Sequence, residues 1–164
     1  MMQPRSIQTQ EINIIGVGVK TNNLQESDPA TAQIPTVWER FSADKIANQV
    51  PNPLMPERPL GVYFHYEDEH SGSYEFVVGL EVEDLTHIPP GLTGIQIPPG
   101  EYLIFSVQGK IPNIVVYTWN YIKQYFTNNT TYDRAFKMDF ELYKPEDQVD
   151  LYVSVREKAP QSQS

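Results

Sequence analysis

The sequence contains no cysteine, which excludes disulfides, thiol nucleophiles and thiolate metal sites together. It has no apolar run approaching membrane-spanning length. Nothing near its start joins a basic segment to an apolar core, so neither a membrane span nor a secretion signal is expected. Positive charge is scarce: 12 Lys and Arg stand against 21 Asp and Glu, a net charge of −9. Such a surface repels phosphate backbones, which argues against direct nucleic-acid binding, and its field favours cationic ligands. There is no nucleophile elbow, phosphate-cradling glycine loop or HExxH helix. The expectation is a soluble cytoplasmic protein that needs no cofactor.

What is present is a globular composition, 40% hydrophobic and 12% aromatic over 164 residues, enough for one domain with a real core. The most patterned stretch is 134–156. Phe136, Met138, Phe140 and Leu142 alternate with Lys137, Asp139, Glu141 and Tyr143. Further on, Val149, Leu151, Val153 and Val155 alternate with Asp150, Tyr152 and Ser154. Period-2 alternation predicts a hairpin with one face on a core and the other more open. The more open face carries Glu141 between Asp139 and Tyr143, with Tyr152 on the partner strand. An acid set among rings in a sheet is a plausible cation receptor, each ring adding roughly 0.5–2 kcal/mol of cation–π contact. A solvated acid on an exposed strand is the plainer alternative, and the pattern alone does not separate the two.

Elsewhere, residues 1–10 and 159–164 read as polar, loose ends around a domain over 11–158. A strand is predicted from Ile12 to Lys20, its Gly16 and Gly18 marking a bulge or a close backbone approach. A helix follows over about 33–42, with Ile34, Val37, Trp38 and Phe41 on one side and Pro35 in its first turn. Leu60–Glu67 and Ser73–Glu83 read as a hairpin, and 101–110 as a strand. A second helix is predicted over 113–127, carrying Val115, Thr118, Trp119, Ile122 and Phe126 in one stripe. The proline- and glycine-rich 88–100 reads as an irregular joint. Strand, helix, strand, strand thus occurs twice, in halves of about 11–88 and 100–157, and Thr36-Val-Trp38 recurs as Tyr117-Thr-Trp119. The predicted fold is α+β: a duplicated βαββ unit, an antiparallel sheet with two main helices on one face, and a ligand pocket at the pseudo-twofold seam.

His65-Tyr-Glu-Asp-Glu-His70 brings imidazoles and carboxylates into one turn, but it matches no established ligand spacing and reads as a solvated loop. The asparagines of 128–131 fit a glycosylation acceptor, which carries no weight without a secretion signal.

Ile34-Pro-Thr-Val-Trp-Glu-Arg-Phe41, Ile97-Pro-Pro-Gly-Glu-Tyr102, Trp119, Phe140-Glu-Leu-Tyr143 and Leu151-Tyr-Val153 occur in an order that resembles the gyrase-inhibitor-like effector-binding domains. These domains also occur behind the DNA-binding regions of AraC-type and MerR-type multidrug regulators, and alone as integron-cassette effector-binding proteins, which the chain resembles most. The resemblance spans roughly 10–157. It implies a pocket for a hydrophobic cationic small molecule, with Glu141 as counter-charge and Trp119, Tyr63, Tyr143 and Tyr152 as aromatic walls. Trp38 belongs with them as a wall or as core packing. With about ten residues before the first strand, no helix-turn-helix is expected and direct transcriptional control is not. Some relatives are hydrolases of strained electrophilic compounds, so an enzyme using Glu141 to activate water is an alternative. A protein-interaction role, modulating gyrase or a separate regulator through the acidic surface, is another.

Overall fold

The computed structural model describes residues 3–68, 72–128 and 131–158. Among these the chain forms β1 (Arg5–Thr9), β2 (Ile12–Asn22), α1 (Asn23–Glu26), α2 (Ile34–Ala43), α3 (Ile46–Gln49), β3 (Leu60–Phe64) and β4 (Ser73–Val82). It continues with β5 (Thr93–Ile97), β6 (Gly100–Gln108), α4 (Asn113–Thr127), β7 (Tyr132–Arg134), β8 (Met138–Lys144) and β9 (Gln148–Glu157). All strands join one antiparallel sheet in the order β1-β6-β9-β8-β3-β4-β2-β5, with β7 also pairing β9. The two predicted βαββ units are visible in this order as β6-β9-β8 and β3-β4-β2, and they meet where β3 pairs β8.

The helices start and stop for local reasons. Pro35 stands in the first turn of α2, where its missing N–H costs nothing. The Glu26 carboxylate accepts from the backbone N–H of Gln33 and Ile34 at 2.7 and 3.1 Å, capping α2 from α1. The two long helices, α2 and α4, lie on the same side of the sheet. α2 and α3 bury Val37, Phe41 and Ile46 on Ile15, Val17, Phe76 and Val78 of β2 and β4. α4 buries Val115 and Ile122 on Phe105, Leu151 and Val153 of β6 and β9. The glycines of β2 mark a close backbone approach, as expected: a Cβ on Gly16 would lie 2.0 Å from the Val78 carbonyl oxygen.

Two expectations need correction. Residues 5–9 are not loose but form β1, and the joint 88–100 contains β5. Both short strands were hidden because their partners are remote: β1 pairs β6 and β5 pairs β2. Each half is therefore closed at its edge by the strand that leads into the other half. Since β1 and β2 are two residues apart, the sheet cannot be flat. Flat spacing would hold them about 30 Å apart. It curls, and on its inner face Ile14, Ile97 and Tyr102 from the two ends of the strand order pack with Val62 and Phe140 in one cluster.

The 134–156 hairpin also differs from its reading. Lys144 pairs Gln148 across a three-residue loop, so odd-numbered residues oppose odd ones. Glu141 faces Leu151, and Phe140 faces Tyr152. The alternation along each strand is as read, but the two strands match the other way round, and neither face is open. Phe140 points into the curl; Glu141 points to the helix side, into the gap between α2 and α4.

Candidate functional site

Glu141 sits at the seam, directly opposite Gly61 of β3. It is 1% exposed. A Cβ on Gly61 would come within 3.3 Å of Glu141 Oε1 and 3.1 Å of the Phe76 ring, so the glycine leaves the room the carboxylate occupies. Gly61→Ala is expected to cost about 1–3 kcal/mol by overpacking. It would be read as a lower urea midpoint at unchanged m-value; an unchanged midpoint would show that the seam yields.

Three side chains donate to the Glu141 carboxylate. Tyr63 Oη and Trp119 Nε1 donate to Oε2 at 2.7 and 2.6 Å, and Tyr143 Oη donates to Oε1 at 2.6 Å. Hydrogen bonds to an ionised partner are worth roughly 1.5–3 kcal/mol each, and they hold these rings in place. Burial pushes the Glu141 pKa above the ordinary carboxylate value, against the pull of the three donors. The Tyr63 and Tyr143 hydroxyls are raised too, first by burial and then by the adjacent carboxylate, and so stay protonated donors.

Tyr63 and Trp119 are also walls of a cleft of about 400 Å³ on the helix side, bounded by Ile34 of α2, Glu26 of α1 and Val116, Asn120 and Lys123 of α4. The two rings meet edge to face at 5.5 Å. Glu141 thus lies behind an aromatic surface, its charge reaching the cleft through two hydrogen-bonded rings. A second buried acid stands beside it. Asp139, fully buried, accepts from Tyr66 Oη at 2.5 Å, Arg134 Nη2 at 2.8 Å and Ser154 N at 2.7 Å. Tyr66 and Arg134 line the same cleft, and the Arg134 guanidinium lies 4.3 Å over Phe136 and 5.6 Å from Trp119.

Of the residues singled out in the sequence, Glu141, Trp119, Tyr63 and Tyr143 come together in one hydrogen-bonded group. Trp38 packs edge to face on Tyr143 at 4.7 Å and on Phe41, joining the group to the α2 core. Tyr152 does not join them. It stacks on Phe140 at 4.3 Å on the opposite side of the sheet, the consequence of the odd-with-odd register. Tyr66, Tyr74, Arg134 and Phe136 were not anticipated as cleft residues. Phe136 belongs to the alternating pattern and Arg134 stands just before it, so neither is marked as a cleft residue, although a buried Asp139 two residues from Glu141 calls for a cation. His65 pairs with Glu75, His70 lies outside the described residues, and among the described residues no group of three metal-ligating side chains gathers. No helix among them is long and apolar enough to cross a membrane.

Residues 7–155 match the family described as integron-associated effector binding protein. YobU of Bacillus subtilis (strain 168), a candidate transcriptional regulator protein, is 27% identical over 148 residues, covering 86% of this chain and 90% of its own length. An integron cassette protein from the mobile metagenome of Vibrio cholerae superposes with a TM-score of 0.81 at 25% identity, over 94% of this chain and 97% of that one. SAV2435, solved bound to tetraphenylphosphonium, superposes with a TM-score of 0.77 over 94% of each chain; at 18% identity this likeness concerns the fold.

Proposed function

We propose, because this chain belongs to the integron-associated effector binding proteins, that it is a receptor for a hydrophobic cationic small molecule held in the cleft between α1, α2 and α4. The observation that carries this reading is a buried carboxylate whose ligands are the cleft's own aromatic walls: Tyr63 and Trp119 face the cavity and donate backwards to Glu141. Rings in that arrangement are polarised by the charge behind them, so their faces become more attractive to a cation. A cation seated there compensates the desolvated carboxylate without touching it. That SAV2435 takes tetraphenylphosphonium on the same fold fits this chemistry.

The hydrolase alternative asks Glu141 to activate a water. Both of its oxygens already accept hydrogen bonds from protein donors, and it lies behind the rings, which favours binding over proton abstraction.

Tetraphenylphosphonium and tetraphenylborate have nearly the same shape and opposite charge. The phosphonium is expected to quench Trp119 fluorescence and bind at least tenfold more tightly than the borate, since a change of charge sign near a desolvated acid is worth over about 1.4 kcal/mol. Equal affinities would leave only a greasy cleft, and tighter borate binding would reverse the charge assignment.

A further inference from the structure

Beside the cleft, and sharing Lys123, Arg134 and Phe136 with it, lies a second recess of about 310 Å³. Its character is different. Arg156 completes its wall with Lys123 and Arg134, so three of the chain's twelve cationic side chains meet at one cavity of a protein carrying −9 overall. The acid on its wall is Asp133, opposite Arg156 in the β7–β9 ladder and 3.7 Å from Lys158. Even with Asp139 counted behind Arg134, the three cations of the wall stand against two carboxylates. Arg134 is also under-satisfied: its side chain is 10% exposed, Nη2 donates to Asp139, and Nε is buried with no acceptor among the described residues. A buried guanidinium with spare donor capacity, next to two further cations, is suited to an added anion.

We infer that this recess is a second subsite, for a carboxylate carried by the same ligand, so that the preferred effector is a zwitterion. Its hydrophobic cationic body lies over Tyr63 and Trp119, and its carboxylate reaches past Phe136 to Lys123 and Arg156. The inference rests on the cation reading of the cleft. It adds that the two recesses are read by one molecule, with opposite charges at its two ends.

The test uses (4-carboxyphenyl)triphenylphosphonium and its methyl ester, which share the cationic body and differ in one negative charge. The free acid is expected to bind about tenfold more tightly than the ester, as one added charge-assisted contact would provide. Arg156→Gln, an exposed residue that lines the second recess and not the first, should bring the acid to the ester's level and leave the ester's Kd unchanged. An acid that binds no better than the ester, or a preference that survives Arg156→Gln, overturns the second subsite while leaving the cation receptor standing. If neither phosphonium binds, the cation reading fails, and this one with it.

Discussion

Glu141→Gln is expected to weaken tetraphenylphosphonium binding by about a hundredfold. A charge roughly 6 Å behind the ring surface, acting through an effective permittivity of about 20, contributes about 2.8 kcal/mol, or two decades of affinity. Glutamine is the informative replacement because it keeps the shape and most of the hydrogen bonding. Its carbonyl can accept from Trp119 and Tyr63, and its amide can donate to a reoriented Tyr143 hydroxyl. The pH dependence follows from the raised pKa. The cation prefers the ionised acid, so wild-type affinity is full above that pKa and falls as pH drops through it, while the variant shows no such fall. Stability runs the other way. A carboxyl whose pKa is higher folded than unfolded adds stability at low pH, and that contribution is lost as pH rises through the folded value. The variant is therefore expected to melt no lower than wild type at neutral pH. Titration calorimetry and thermal melts across pH read both quantities; unchanged affinity in the variant would remove Glu141 from the recognition charge.

The second large effect concerns stability. Asp139→Ala leaves Arg134 buried with its carboxylate partner gone, and strands the Tyr66 hydroxyl and the Ser154 amide as well. Breaking one side of a buried ion pair costs about 3–5 kcal/mol, which at this chain length lowers Tm by roughly 10 °C. Replacing both partners with apolar residues, Asp139→Leu with Arg134→Met, should recover part of the loss, because no unpaired charge is then left buried while the Tyr66 hydroxyl and Ser154 amide still lack their acceptor. If the single variant melts within about 2 °C of wild type, Asp139 is not an energetic anchor of the seam. If the double variant is as unstable as the single one, the loss comes from packing and the two stranded donors and not from the charge.

Much of this architecture was legible because apolar periodicity is strong where elements are long. α2, α4 and the strands flanking the two hairpins carry enough alternation to be bounded to within a few residues, and the repeated strand–helix–strand–strand order gave the seam. The losses share one physical cause. β1 and β5 are five-residue strands whose partners lie far away in the chain, so no local pattern marks them. Tyr152 was assigned to the Glu141 side because the pairing of β8 with β9 depends on the loop Pro145–Asp147, and one residue more or less in that loop moves every side chain across the sheet. Glu141 itself was found from the rings around it, whereas its burial required the helices: an alternating strand looks half exposed until something covers its polar face.

The exchange of edge strands has a consequence for how the chain is made. Residues 5–9 are made long before their partners at 100–104, so for nearly a hundred residues of synthesis β1 waits for the strand it pairs with. β2, whose Ile14, Ile15 and Val17 end fully buried, has one side satisfied by β4 but must wait for β5 on the other. The first βαββ unit therefore emerges with an unpaired apolar edge until β5, in the joint to the second unit, covers it. The two units of this protein complete each other, and an unpaired edge of this kind is where a partly made chain is most open to aggregation.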